Sequence, residues 1–324
     1  MNYKFYILIA CGLLILAYTL LSLRNERIDR QPQMLQVRIV KNSFLMMGQF
    51  NYNLTSNNIS TWIDSWSKVI EAKDIIMAVP DCESQDYPKT NSSSYLCYES
   101  DYGYYSPYIN IAKVLKISDI SEILYIHDDM LISSSLRKKL DKSSWMITFD
   151  TGSQSHDIIK IYKNGTISSK DTFHQQWPHW NGCLTTFIEI MNDPANSAFL
   201  HELNNDSAFI NAQFGQSDLL YAYFPNHQQK EYLINILGLF AKHRLFLECA
   251  IPTAVLMMKE KFGIQIYDAQ LCTSWDYGGA RSDPDKLIQN CDEEKRHHRY
   301  EAYHPIKLSS NSNWSLYFEN LYNL

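Results

Sequence analysis

Glu122-Ile-Leu-Tyr-Ile-His-Asp-Asp-Met-Leu131 is the stretch on which the reading of the chain turns. Four apolar residues, 123–126, run into two adjacent carboxylates, and the chain becomes apolar again at Met130, Leu131 and Ile132. A short run that is apolar throughout marks a strand covered on both faces, the usual state of a strand in a parallel sheet. Asp74-Ile-Ile-Met-Ala-Val-Pro80 has the same character and stops at a proline. Val37-Arg-Ile-Val-Lys41 reads as a first strand. Between these runs lie two helical patterns. Residues 58–71 place Ile59, Trp62, Trp66, Val69 and Ile70 on one face. Residues 106–117 carry Pro107 in the first turn and offer Ile109, Val114 and Leu115 to a core. Strand, helix, strand, helix, strand predicts an α/β fold, a mostly parallel sheet flanked by crossover helices. Functional groups in such sheets gather beyond the carboxyl ends of the strands.

His127-Asp128-Asp129 falls at such an end. Burying paired carboxylates beside a hydrophobic strand is costly unless a cation or hydrogen bonds compensate. A divalent ion held with a diphosphate would compensate. The plainer alternative is a strand-terminal turn whose aspartates are solvated.

Working outward to the N-terminus, residues 5–23 are 19 consecutive positions without a charge, bracketed by Lys4 and Arg24. As a helix they span about 28 Å, close to the hydrocarbon thickness of a bilayer. A cleaved signal peptide has a shorter apolar region and a small-residue cleavage site, so an uncleaved signal anchor is expected. Residues 1–4 then form a cytosolic tail, 24–34 a polar stem and 35–324 a luminal body. Orientation rests on the rest of the chain, because the flanking charges are balanced. Asn-x-Ser/Thr sequons occur at Asn53, Asn58, Asn91, Asn164, Asn205 and Asn313. Apart from Cys11 in the apolar segment, the cysteines are an even six: Cys82, Cys97, Cys183, Cys249, Cys272 and Cys291. Six cysteines allow 15 pairings, and spacing does not choose among them. Both features predict a type II membrane protein of the Golgi or endoplasmic reticulum, its body in an oxidising lumen.

Composition removes other classes. The chain has 324 residues, of which 45% are hydrophobic and 20% charged, a globular balance. Its 11 glycines form neither G-x-G-x-x-G nor G-x-x-x-x-G-K-[ST], so the usual dinucleotide fingerprint and the P-loop are absent. The formal net charge is −6. Four basic and two acidic residues fall within the first 30, so the remainder is more acidic still, which excludes a nucleic-acid surface and suits divalent cations. There is no G-x-S-x-G and no H-E-x-x-H, so serine-hydrolase and zincin chemistry lack their markers.

A membrane-anchored luminal α/β body with a strand ending in Tyr-Ile-His-Asp-Asp-Met-Leu-Ile resembles the GT-A type of glycosyltransferase. The resemblance implies a Rossmann-related fold and transfer of a sugar from a nucleotide-sugar donor to a glycan, glycoprotein or glycolipid acceptor. It implies a D-x-D-like motif holding Mn²⁺ or Mg²⁺ against the donor diphosphate. Here the first position is His127, a variant of that motif and itself a metal candidate; Asp129 is the best-matched position, and which of Asp128 and Asp129 ligates the metal is left open. A late histidine and a cation completing the site correspond to His304 and Lys307 in Tyr303-His-Pro-Ile-Lys-Leu-Ser309. An acidic residue at a helix start, the base of inverting members, corresponds to Glu248, which lies in an otherwise apolar stretch. On spacing alone Glu248 could equally be a helix N-terminal charge or a partner of Arg244. Trp177, Trp180 and Asn181, in a Pro/Gly-containing loop, offer a platform for the acceptor sugar or, alternatively, plugs for the core. A luminal glycoside hydrolase, whose two carboxylates can be distant in sequence, and a glycan-binding ectodomain without activity are the competing classes.

Overall fold

A computed structural model describes residues 44–50, 55–69, 74–80, 93–98, 105–133, 136, 138–140, 142–150, 158–168, 180–204, 208–215, 219–273, 291 and 300–304. The chain divides into Met1–Met34 and Leu35–Leu324, and every described residue belongs to the second unit. Among the described residues no helix is long and apolar enough to cross a membrane. The expected span at residues 5–23 and the expected strand at 37–41 lie outside them.

Strands β1 (Phe44–Gln49), β2 (Ile75–Pro80), β3 (Ser93–Tyr98) and β4 (Glu122–His127) are mutually parallel, in the spatial order β3-β2-β1-β4. Helices α1 (Ser56–Val69) and α2 (Ser106–Ile117) provide the crossovers. The second half adds β5 (Leu131–Ile132), β6 (Ser144–Asp150), β7 (Ile159–Tyr162), β8 (Phe209–Ala212), β9 (Leu219–Tyr223), β10 (Gln265–Thr273) and β11 (Ala302–His304). It also adds α3 (Trp180–Asn192), α4 (Ser197–Asn204), α5 (His227–His243) and α6 (Leu247–Phe262). The nine-stranded sheet continues β4-β9-β6-β10-β11-β5, with β9 and β5 antiparallel to their neighbours, while β7 and β8 form a separate pair. The α/β expectation of a mostly parallel sheet flanked by helices therefore holds.

Both faces of the sheet are covered, which is why its strands are apolar throughout instead of alternating with polar residues. Leu45, Met47, Ile76, Ala78, Ile123 and Tyr125 point into one core with α2, α5 and α6. The intervening Met46, Ile75, Met77, Leu124 and Ile126 point into the other, against Ile59, Trp62 and Trp66 of α1. Period-two alternation is thus present, but between two apolar cores. The expected core face of α2 is met at Val114 and Leu115, whereas Ile109 is half-buried; for α1, Ile70 lies outside the described residues. Thr55 caps α1, its Oγ1 accepting the Asn58 N–H at 3.2 Å. Lys230 is only 7% exposed because its Nζ donates to the Ser118 and Ile120 carbonyls beyond the end of α2.

Disulfides join Cys183 to Cys249 and Cys272 to Cys291, and Cys97 is also disulfide-bonded. The expected oxidised cysteines are therefore present, with the pairing that spacing left open now assigned for four of them.

Candidate active site

The stretch from Glu122 to Leu131 is not one strand. β4 ends at His127, Asp128 and Asp129 make a turn, and β5 resumes at Leu131 on the far edge of the sheet. There β5 pairs antiparallel with β11, Leu131 opposite Tyr303 and Ile132 opposite Ala302. That pairing carries the turn across to the end of β11 and brings His304 against Asp129.

The resulting cluster is His127, Asp129 and His304, one ligand atom of each within 4.8 Å of the others. His127 Nδ1 lies 2.5 Å from Asp129 Oδ1, and His304 Nε2 lies 3.2 Å from the same oxygen. The imidazoles stand nearly edge-on, 6.5 Å between centroids. Asp128 sits outside this trio, its Oδ1 3.3 Å from His127 Nδ1. Asp128 is 0% and Asp129 6% exposed, which disposes of the solvated-turn alternative. Burial by itself would raise the Asp129 carboxyl. The positive charge and hydrogen bonds of His127 and then His304 outweigh it and hold the group well below the usual carboxylate range. An ionised oxygen shared by two imidazoles is a donor set that a borderline divalent cation fits, since such ions take imidazole and carboxylate together.

Polar residues that sequence reasoning passed over hold the turn in place. Gln49, at the end of β1 and directly opposite His127, gives its carbonyl to the Asp128 N–H at 2.9 Å. Its side chain accepts from Asn110 Nδ2 at 3.1 Å and donates to Ser106 Oγ at 3.3 Å. The first turns of α2 are thereby locked to the carboxyl ends of β1 and β4. Tyr108, in that same stretch of α2, donates its hydroxyl to the Leu245 carbonyl at 2.6 Å. Burial, chiefly, pushes its ionisation far up, so it remains a donor.

Leu245 leads into α6, where Glu248 occupies the first turn as expected and is half-buried. Pro252 lies inside this helix and has no N–H for the carbonyl four residues back, which is that of Glu248. The Gly215 N–H fills the gap at 3.0 Å, and Thr253 Oγ1 exchanges hydrogen bonds with the Gln213 backbone at 3.1 and 3.0 Å. The proline was visible in the sequence; its consequence, the docking of the segment after β8 onto the Glu248 turn, was not. Glu248 is not a member of the metal-capable trio. The Cys183–Cys249 bridge ties the residue after Glu248 to the first turn of α3, two residues from Asn181, which is exposed. Trp180 opens α3, while Trp177 and Lys307 lie outside the described residues.

No protein-family model and no curated protein sequence matches the chain. Chains of solved structures do match, among them two of one enzyme. A galactosyltransferase, LgtC, in complex with donor and acceptor sugar analogs is 10% identical, covers 86% of this chain and 94% of its own, and has a TM-score of 0.39. An active-site mutant of LgtC is 8% identical, with the same coverage and TM-score. A likeness at this level says nothing about function.

Proposed function

We propose that the chain is a GT-A-type glycosyltransferase that moves a sugar from a nucleotide-sugar donor to a glycan, glycoprotein or glycolipid acceptor. The observation that carries the reading is the buried trio of His127, Asp129 and His304 at the carboxyl edge of a mostly parallel sheet, where ligands of such folds bind. Asp129 and His304, with His127, would hold Mn²⁺ or Mg²⁺; two imidazoles in the set favour Mn²⁺, because Mg²⁺ prefers oxygen. Bound there, such a cation would supply positive charge against a leaving diphosphate. Asp128 sits beside the donor and Lys307 supplies a further positive charge to it. Glu248 accepts the proton of the attacking hydroxyl, and Trp177, Trp180 and Asn181 orient the acceptor. The anchor at residues 5–23 keeps the body in the Golgi or endoplasmic reticulum lumen. The disulfides at Cys97, Cys183–Cys249 and Cys272–Cys291 support an oxidising compartment.

Two histidines and one carboxylate are also the donor set of non-haem Fe(II) oxygenases, which is the specific observation favouring a second reading. One assay separates them. The detergent-solubilised chain is given a panel of nucleotide-sugars with Mn²⁺, and released nucleotide is measured with and without oxygen. Oxygen-independent release that is lost on chelation, and lost in both Asp129→Ala and His304→Ala, supports the transferase. Full activity of either mutant in chelator refutes the site, and activity that needs oxygen refutes the class.

A further inference from the structure

Asp129 and His304 meet where β5 pairs with β11; β11 has three pairs with β10 on its other side, but the described ladder between β5 and β11 is two residue pairs long. A ladder that short specifies register weakly, and a slip of one residue would turn the His304 imidazole to the opposite face. A cluster that the proposed reaction does not use supplies the missing constraint. Glu301, immediately before β11, is 5% exposed. Its carboxylate accepts from the Gln270 N–H at 3.1 Å, from the Tyr267 hydroxyl at 2.8 Å to each oxygen, and from Lys139 Nζ at 2.5 Å. Its own N–H donates to the Gln270 carbonyl at 2.9 Å, and its carbonyl accepts the Ser133 N–H at 2.7 Å. Lys139 also bonds the Tyr267 hydroxyl and lies 4.4 Å above that ring. One residue thus ties together β10, the start of β11 and the chain that leaves β5 through the turns at Leu136 and Lys139.

A buried carboxylate with an ion partner is a poor source of net stability, because its desolvation offsets most of the attraction. What such a group provides well is a unique arrangement, since any other register would leave the charge buried and unmatched. We propose that Glu301 is a positioning residue: it holds the β5–β11 register that sets Asp129 against His304, and through that register it sets the metal affinity of the trio. The second half of this inference rests on the metal reading of the site; the first half does not.

The test uses the full chain, wild type and Glu301→Gln, with Mn²⁺ alone as the probe. Free Mn²⁺ is counted by electron paramagnetic resonance, and amide exchange is followed by mass spectrometry in peptides covering 131–133, 302–304 and the β1–β4 ladder. Glu301→Gln is isosteric but uncharged. It is expected to weaken Mn²⁺ binding by about tenfold or more. Exchange should accelerate at 131–133 and 302–304 while the β1–β4 ladder stays protected. Lys139→Arg, which keeps the cation, should remain close to wild type on both readouts. Unchanged exchange at the β5–β11 edge overturns the proposal, as does acceleration spread evenly over the sheet, the mark of a merely structural residue. Unaltered Mn²⁺ affinity beside a loosened edge overturns its second half. If the wild-type chain binds no Mn²⁺, the metal reading fails, and local exchange still decides whether Glu301 sets the register.

Discussion

Gly48 is the last residue but one of β1, between Met77 of β2 and Ile126 of β4, so the strand that carries it is paired on both sides. A Cβ placed there would lie 2.5 Å from Trp62 Cη2 and 3.0 Å from Cζ2 and Cζ3. Unstrained carbon contacts are about 3.5–4 Å, so strand and indole must separate by about 1 Å. The indole has nowhere to go. It is fully buried, with Phe50 edge-on at 5.3 Å and Trp66 at 5.9 Å. Overpacking a well-filled core costs about 1–3 kcal/mol, and a rigid ring trapped against a paired strand puts Gly48→Ala at the upper end, about 2–3 kcal/mol. At about 2–4 °C per kcal/mol for a large domain, melting falls by about 4–12 °C. Differential scanning fluorimetry at one fixed scan rate measures it, which also handles irreversible unfolding. Trp62→Phe makes room, so Gly48→Ala/Trp62→Phe should be more stable than the sum of the two single changes predicts, by about 1 kcal/mol or more. Gly48→Ala melting within about 1 °C of wild type, or strict additivity in the double mutant, would refute the packing argument.

Three further outcomes are expected. Asn164 is exposed in the turn after β7, where its Oδ1 accepts from Thr166 N at 3.0 Å, so the expressed protein should shift in mobility on enzymatic removal of N-glycans; an unmodified Asn164 by mass spectrometry counts against the luminal orientation. Glu248→Gln should lower kcat by about 10²–10⁴-fold with donor affinity nearly unchanged, whereas wild-type kcat would move the base elsewhere. His243, which lies 3.1 Å from Asn196 Nδ2, is held below its ordinary value first by burial and then by Lys242. The folded state therefore binds fewer protons there than the unfolded chain. Stability is lost as pH drops below about 6.5, down to the folded value, and levels off beneath it. His243→Gln should flatten that part of the melting-temperature profile; parallel profiles would deny His243 the role.

What the sequence determined by itself is what depends on local patterning. The apolar runs at 75–80 and 122–127, the periodic faces of α1 and α2 and the proline at the start of α2 are each set by residues close in the chain, so the α/β class and a parallel first half were legible. The acidic triplet was legible as well, because two carboxylates beside a buried strand are anomalous wherever they occur. The first described strand escaped notice: Phe44-Leu-Met-Met-Gly-Gln49 ends in a buried glutamine that only its pairing with β4 explains. The residues that meet at Asp129 were beyond local patterning. His304 reaches it through a two-pair ladder between distant segments; Gln49 meets the neighbouring Asp128 through a register, and Glu301 meets Gln270, Tyr267 and Lys139 from distant parts of the chain. The Gly215 bond to Glu248 exists because a proline removed the donor that would have filled that place. Each of these contacts joins residues far apart in the chain whose distance is fixed by sheet order, which periodicity and spacing do not encode.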